Sequence, residues 1–209
     1  MANILTRTAA PALPVASHKY SYQGAGAFTN ILRIFFTRIV GVIDNLLSTN
    51  FGGKFLYFPL GVFHSTSTQT AALINTAYAV AFATTTLSND VAIESSSQIH
   101  VENDGVYNFQ FTAQANAPLG IGGQLTIWLS VSGTNAVNTG KLVELAEPEE
   151  LVNLLSVQCD FTVTLSSTDY VQVMWAKDAS DIQLLYTAAT GIYPAIPAAS
   201  MTVTYMSNS

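Results

Sequence analysis

Charge is what this sequence has least of. Asp, Glu, Lys and Arg make up 10% of its 209 residues, where a typical globular domain carries about 25%. Its surface must therefore be dressed in Ser, Thr, Asn, Gln and Ala. Lys and Arg number seven together, and the formal net charge is −6. No basic patch exists to release counterions from a phosphate backbone, so no nucleic-acid partner is expected. The same scarcity leaves nothing to anchor the chain on an anionic bilayer. Cysteine is almost absent too. Cys159 stands alone, which excludes an intramolecular disulfide framework. Phe161, Val163 and Leu165 alternate on its face, so it reads as a buried core thiol. Synthesis in a reducing cytoplasm is expected. The opening apolar run, AAPALPVA, is short and broken by Pro11 and Pro14, which does not read as a signal peptide.

Catalytic signatures are also missing. His18, His64 and His100 are the only histidines, and none stands at metal-ligand spacing from Cys159 or another His. There is no GxSxG, no HExxH and no P-loop. Gly120-Ile121-Gly122-Gly123 is glycine-rich but opens no helix, so it reads as a hairpin tip. Carboxylates gather at Glu102 and Asp104, at Glu147, Glu149 and Glu150, and at Asp178 and Asp181. Glycoside hydrolysis needs two of them about 5–10 Å apart across a cleft. Calcium needs about six to eight oxygens. Spacing in sequence establishes neither, and solvated turn carboxylates are the plain reading. The expectation is a non-enzymatic protein with no catalytic residue, no cofactor and no metal.

What is present is alternation. In Gly105–Ala115, GVYNFQFTAQA, Tyr107, Phe109, Phe111 and Ala113 fall on one face of an extended strand, and Val106, Asn108, Gln110 and Thr112 fall on the other. Large aromatics so closely spaced need a deep apolar partner layer, so this strand is expected at the centre of a sheet. Asn103-Asp104-Gly105 reads as the turn that launches it. Leu125, Ile127, Leu129 and Val131 repeat the pattern, as do Phe161, Val163 and Leu165. Tyr170–Trp175 is apolar on both faces, Ile99 and Val101 flank His100, Ile182, Leu184 and Tyr186 follow, and Met201, Val203 and Tyr205 come last. Pro59 demotes part of Phe55–His64 to an edge or a bend. Tyr78, Val80 and Phe82 alternate with Ala77, Ala79, Ala81 and Ala83, an all-alanine face suited to close packing against a sheet or a subunit. Glu147–Leu155 offers a weak helical turn. Turn clusters at 88–90, 120–123, 132–135, 166–169 and 178–181 separate the strands. Many short strands so spaced predict an all-β antiparallel sandwich over residues 54–209.

The first 53 residues differ. Residues 1–24 carry Pro11, Pro14, His18, Tyr20 and Tyr22 without periodicity, and read as a docking arm or a disordered tail. Residues 28–47 form the one good helical pattern. Phe28, Leu32, Phe35, Ile39, Val42 and Leu46 keep a 4-3 heptad spacing, and Phe36 and Ile43 widen the stripe. Such breadth suits three or more helices, or a helix laid on another surface. Arg33, Arg38, Asp44 and Asn45 make a membrane span costly, so no insertion is expected. Asn50-Phe51-Gly52-Gly53 supplies the glycine stop.

Two resemblances rest on these residues. Leu60–Ser207 resembles the jelly roll of complement-type and tumour-necrosis-factor-like globular heads, through GVYNFQF and through the pair Phe161–Leu165 and Asp169–Val173. It departs from that pattern in Thr168, where those heads carry Gly, and in Met201–Met206, MTVTYM, where they carry a Phe-Gly-rich strand. Some relatives of that fold hold calcium near a trimer axis. Most of the chain is similar to virion proteins of tailed bacteriophages, through the Pro-containing arm, the aromatic-rich helix, Phe58-Pro59-Leu60-Gly61-Val62-Phe63 and Thr68-Gln69-Thr70-Ala71-Ala72 in that order. The resemblance implies a homotrimeric virion structural protein, made in the host bacterial cytoplasm. It would be a tail fibre, a spike or a head decoration, with residues 1–50 meeting other virion proteins. The alternative is a lectin-like module for host-surface glycan. Trp128, on the polar face of its strand, and Tyr186 are its candidate ligand contacts; the rival reading of Trp128 is burial between subunits.

Overall fold

A computed structural model describes residues 22–47, 58–120, 122–147 and 153–208. The greater part of the predicted arm, the Asn50–Gly53 stop, Phe55–Tyr57, Ile121 and the pair Glu149 and Glu150 lie outside the described residues. The chain divides into two compact units, Met1–Tyr57 and Phe58–Ser209, against an expected boundary at 53.

In the first unit a single helix, α1, spans Tyr22–Leu47, 26 residues. It starts six positions before the expected Phe28, through Ala25 and Ala27, which continue the helix at little entropic cost. The hydroxyls of Thr29 and Thr37 donate to the carbonyls of Ala25 and Arg33 (both 2.9 Å), so these polar side chains satisfy themselves within the helix. The predicted stripe covers roughly 120° of the circumference at 3.6 residues per turn. Yet none of the helix residues is buried. Leu32, Phe35 and Ile39 are half-buried, while Phe28, Phe36, Val42, Ile43 and Leu46 are exposed. By length and composition alone α1 is apolar enough to cross a membrane, with a mean hydropathy of 1.4. Arg33, Arg38 and Asp44 nonetheless sit along it.

The second unit is built from β1 (Leu60–Ser65), β2 (Gln69–Thr70), β3 (Tyr78–Ala79), β4 (Thr84–Asn89), β5 (Val91–Glu94), β6 (Gln98–Val101), β7 (Gly105–Ala117), β8 (Gly123–Val131), β9 (Thr134–Asn135), β10 (Lys141–Leu145), β11 (Asn153–Leu165), β12 (Tyr170–Lys177), β13 (Gln183–Leu184) and β14 (Ala199–Ser207). All pairings are antiparallel. Sheet A runs β4-β1-β14-β7-β11, with β13 also beside β7 and β2 beside β13. Sheet B runs β5-β6-β12-β8-β10, with β3 beside β12 and β9 beside β8. Buried residues of both sheets form one continuous core. The unit is an antiparallel β-sandwich.

β7 takes the central place that its alternation predicts. It is flanked over its whole length by β11 and on its other side by β14 and then β13. Registers carry the core across the sheet in rows: Gly61–Val203–Phe109–Phe161 and Phe63–Met201–Phe111–Cys159. Sheet B answers with Leu125, Ile127, Leu129, Val171, Val173 and Trp175, all buried. Of Tyr107, Phe109, Phe111, Leu125, Ile127, Leu129, Phe161, Val163 and Leu165, whose alternation predicts a core position, only Val163 falls short, being half-buried. Gly105 is required by close approach. A Cβ there would lie on the Tyr205 ring and 2.7 Å from the Ser207 carbonyl oxygen.

Tyr107 is fully buried, meets Tyr205 edge-on at 5.4 Å, and donates its hydroxyl to the Asn103 carbonyl at 2.7 Å. Burial first, and then Tyr205, Asp90 and Asp104, push its phenol well above the ordinary range. Burial also pushes Tyr205 up. The unfolded chain therefore loses these protons first, near the ordinary value of about 10. Stability is full below that pH and falls as pH rises through and above it. Denaturant melts from pH 8 to 11 should show this alkaline loss. Tyr107→Phe should flatten it, at a cost of about 1 kcal/mol at neutral pH for the lost hydrogen bond.

Several expectations are corrected. Phe58 and Pro59 stay outside the strand, but β1 is no edge: it is paired on both sides, and the Pro59 carbonyl accepts the Tyr205 N–H at 3.1 Å. The edge beside it is β4, all polar but Leu87, which the alternation rule passes over because neither of its faces is buried. The alanine series does not pack closely on a sheet of its own chain: Ala77, Ala81 and Ala83 are exposed and Ala79 is half-buried, while Val80 and Phe82 enter the core. The glycine run at 120–123 is not a hairpin tip, because β7 belongs to sheet A and β8 to sheet B; the run crosses between sheets. Residues 153–155 belong to β11 and not to a helical turn, since pairing with Ala115–Ala117 holds them extended.

Candidate functional site

Two of the carboxylates flagged in the sequence, Asp104 and Asp178, accept backbone N–H groups, and so does Asp169. Asp178 Oδ1 accepts the Gln124 N–H at 2.5 Å, and Asp104 Oδ1 accepts the Ser167 N–H at 2.7 Å. Asp169 accepts both the Ser166 N–H and the Ser132 hydroxyl (2.9 Å each). Such contacts satisfy turn backbone and fix the corners. Among the described residues no group of three or more His, Cys, Asp or Glu is placed to hold a metal ion. His64 Nδ1 lies 3.0 Å from Ser200 Oγ on the outer face of sheet A. His100 lies on sheet B, its ring 5.7 Å from that of Tyr170 and its Nε2 3.6 Å from Glu94.

Trp128 sits where alternation puts it, on the face of β8 opposite Leu125, Ile127 and Leu129. It is half-buried. Its Nε1 donates to Asn135 Oδ1 at 2.8 Å, and Met174 is its cross-strand partner. The indole is thus fixed by its polar edge, which leaves an apolar face for stacking. Tyr186 follows β13 of sheet A. It packs against the core, and its N–H donates to Thr68 Oγ1 at 3.1 Å. The two candidate contacts belong to different sheets. The helix residues proposed for docking, Phe28, Leu32, Phe35, Phe36, Ile39, Val42, Ile43 and Leu46, lie along α1 as described above.

The larger surface is one that single-residue reading misses. Registers set the outer face of sheet A in three rows: Leu60–Thr204–Asn108–Thr162, Val62–Thr202–Gln110–Asp160 and His64–Ser200–Thr112–Gln158. Within these rows Asp160 is the one carboxylate, no Lys or Arg occurs, and the Asn108 amide donates to Asp160. Lys141 Nζ reaches the Gln158 carbonyl at the edge. The signal was present in the sequence as the polar half of each alternating strand. It became a surface only once the registers joined the strands.

Cys159 is buried on the core face of β11, where burial pushes its thiol up against a smaller opposing pull from Lys141. A raised thiol pKa means little thiolate at neutral pH and low reactivity. Cys159→Ala should leave assembly unchanged, and the native protein should take up maleimide only on unfolding. An intersubunit disulfide in native protein would overturn this.

No protein-family model matches this chain, and no curated protein matches it.

Proposed function

We propose that this chain is a non-enzymatic structural subunit of a tailed-bacteriophage particle. It is a homotrimer, attached through residues 1–50 and α1, with the sandwich displayed outward as a tail fibre, spike or head decoration. One observation carries the reading. The sandwich has a core of its own, while α1 presents a broad apolar stripe with no buried residue. Most helical stability in proteins comes from packing an apolar face, so neighbours are the expected cover for this stripe. Three supporting features agree. The order β1-β14-β7-β11 in one sheet and β6-β12-β8-β10 in the other sets the first strand beside the last, which supports a jelly-roll reading. The outer face of sheet A is four strands wide and nearly uncharged. The chain as a whole has too little charge to dress a monomer. Light scattering of the full-length protein tests the trimer, and mass analysis of purified particles tests the location. A monomer, or absence from particles, overturns the reading.

A lectin-like role is favoured by Trp128 alone, through its fixed and half-exposed ring. Glycan-array binding lost on Trp128→Ala would support it. Array binding indifferent to that change would remove it.

A further inference from the structure

One side of β11 is a long bare edge. Over all 13 residues, Asn153–Leu165, the strand pairs with β7, and among the described residues no strand pairs with its other side. Which backbone groups face that side follows from β7. The Gln114 N–H donates to the Ala198 carbonyl (2.9 Å), and the Gln114 carbonyl accepts the Leu185 N–H (2.8 Å), both away from β11. In an antiparallel ladder the two directions alternate from residue to residue. Ser156, which pairs with Gln114, therefore turns its own N–H and carbonyl outward, and so do Gln158, Asp160, Thr162 and Thr164. A row of unpaired donors and acceptors on a long strand is a template for another strand.

One side chain occupies that row. Lys141, the first residue of β10 in the other sheet, donates its ammonium to the Gln158 carbonyl, near the middle of the strand. Its charge is felt at the neighbouring Cys159 as well. Residues 58–209 contain two Lys and no Arg. The second lysine, Lys177, is buried, whereas Lys141 is exposed. The sandwich thus sets its one exposed lysine on its longest bare edge. A strand arriving there must pull the ammonium off its carbonyl and take it out of water. That costs more than one backbone hydrogen bond at the same place contributes.

We propose that Lys141 is a guard that keeps β11 from pairing with the β11 edge of a second copy. The excluded occupant follows from length. The outermost strands elsewhere, β4, β5 and β10, run six, four and five residues, so another β11 is the match for a 13-residue edge. Two such strands meet about a two-fold axis, each offering the same groups. Lys141→Met keeps the stem and removes the donor. In the full-length protein it should raise the constant for association beyond the wild-type species at least about tenfold, the effect of one charge-assisted hydrogen bond that the wild type must break. Sedimentation across a dilution series reads this. The amides of Ser156, Gln158 and Thr162 should exchange quickly in the wild type and slowly in the associated variant. Lys141→Arg, which restores a donor, should behave as the wild type. A Lys141→Met protein that associates no more than the wild type overturns the guard, as does a Lys141→Arg protein that associates like the methionine variant. Association that leaves the β11 amides exchanging quickly overturns the pairing, because another surface or an unfolded form then carries it.

Discussion

Phe109→Ala lowers the stability of the sandwich by about 3–5 kcal/mol in denaturant melts, through lost transfer energy and the cavity left behind. Phe109 is fully buried on the central strand β7, between Val203 of β14 and Phe161 of β11. Strands on both sides hold the backbone in register, so the site cannot collapse to fill the gap. The midpoint should fall with little change in the denaturant slope. A loss below about 1 kcal/mol would mean that Phe109 does not occupy the core.

Residues 54–209, produced without the arm and helix, stay trimeric but do not enter particles. The first half follows from the charge-poor outer face of sheet A, which belongs to the second unit. The second half follows from α1, whose Phe28, Phe36 and Leu46 have no cover of their own. Light scattering and particle copy number check the two halves separately. A folded monomer would move assembly to α1, and incorporation at normal copy number would remove the docking role.

The sandwich was legible because its central strands obey one rule. In GVYNFQF every second side chain is large and apolar, and a period of two admits only an extended chain with one wet face. The same rule failed on β4, where Thr84, Thr85 and Thr86 are exposed on both faces and leave no alternation to see. It misplaced Gly120–Gly123, since a glycine-rich corner between sheets and one within a sheet have the same composition. It gave Trp128 its face correctly and could not give its partner, Asn135, because that contact depends on where β9 folds back beside β8. The three-row surface of sheet A was invisible for a similar reason: its members come from β1, β7, β11 and β14, far apart in sequence.

The place of β14 has a kinetic consequence. This strand, residues 199–207, lies between β1 and β7. Sheet A therefore stays split into two open-edged halves on the ribosome until residue 207 has emerged. Pairing of β1 with β14 closes a loop of well over a hundred residues, the kind of long-range contact that slows folding. During that delay β1 and β7 expose bare strand edges beside Phe63, Phe109 and Phe111, which is a hazard for nascent chains crowded on one message. Refolding of the full-length protein should be slow, and its yield should fall steeply with concentration.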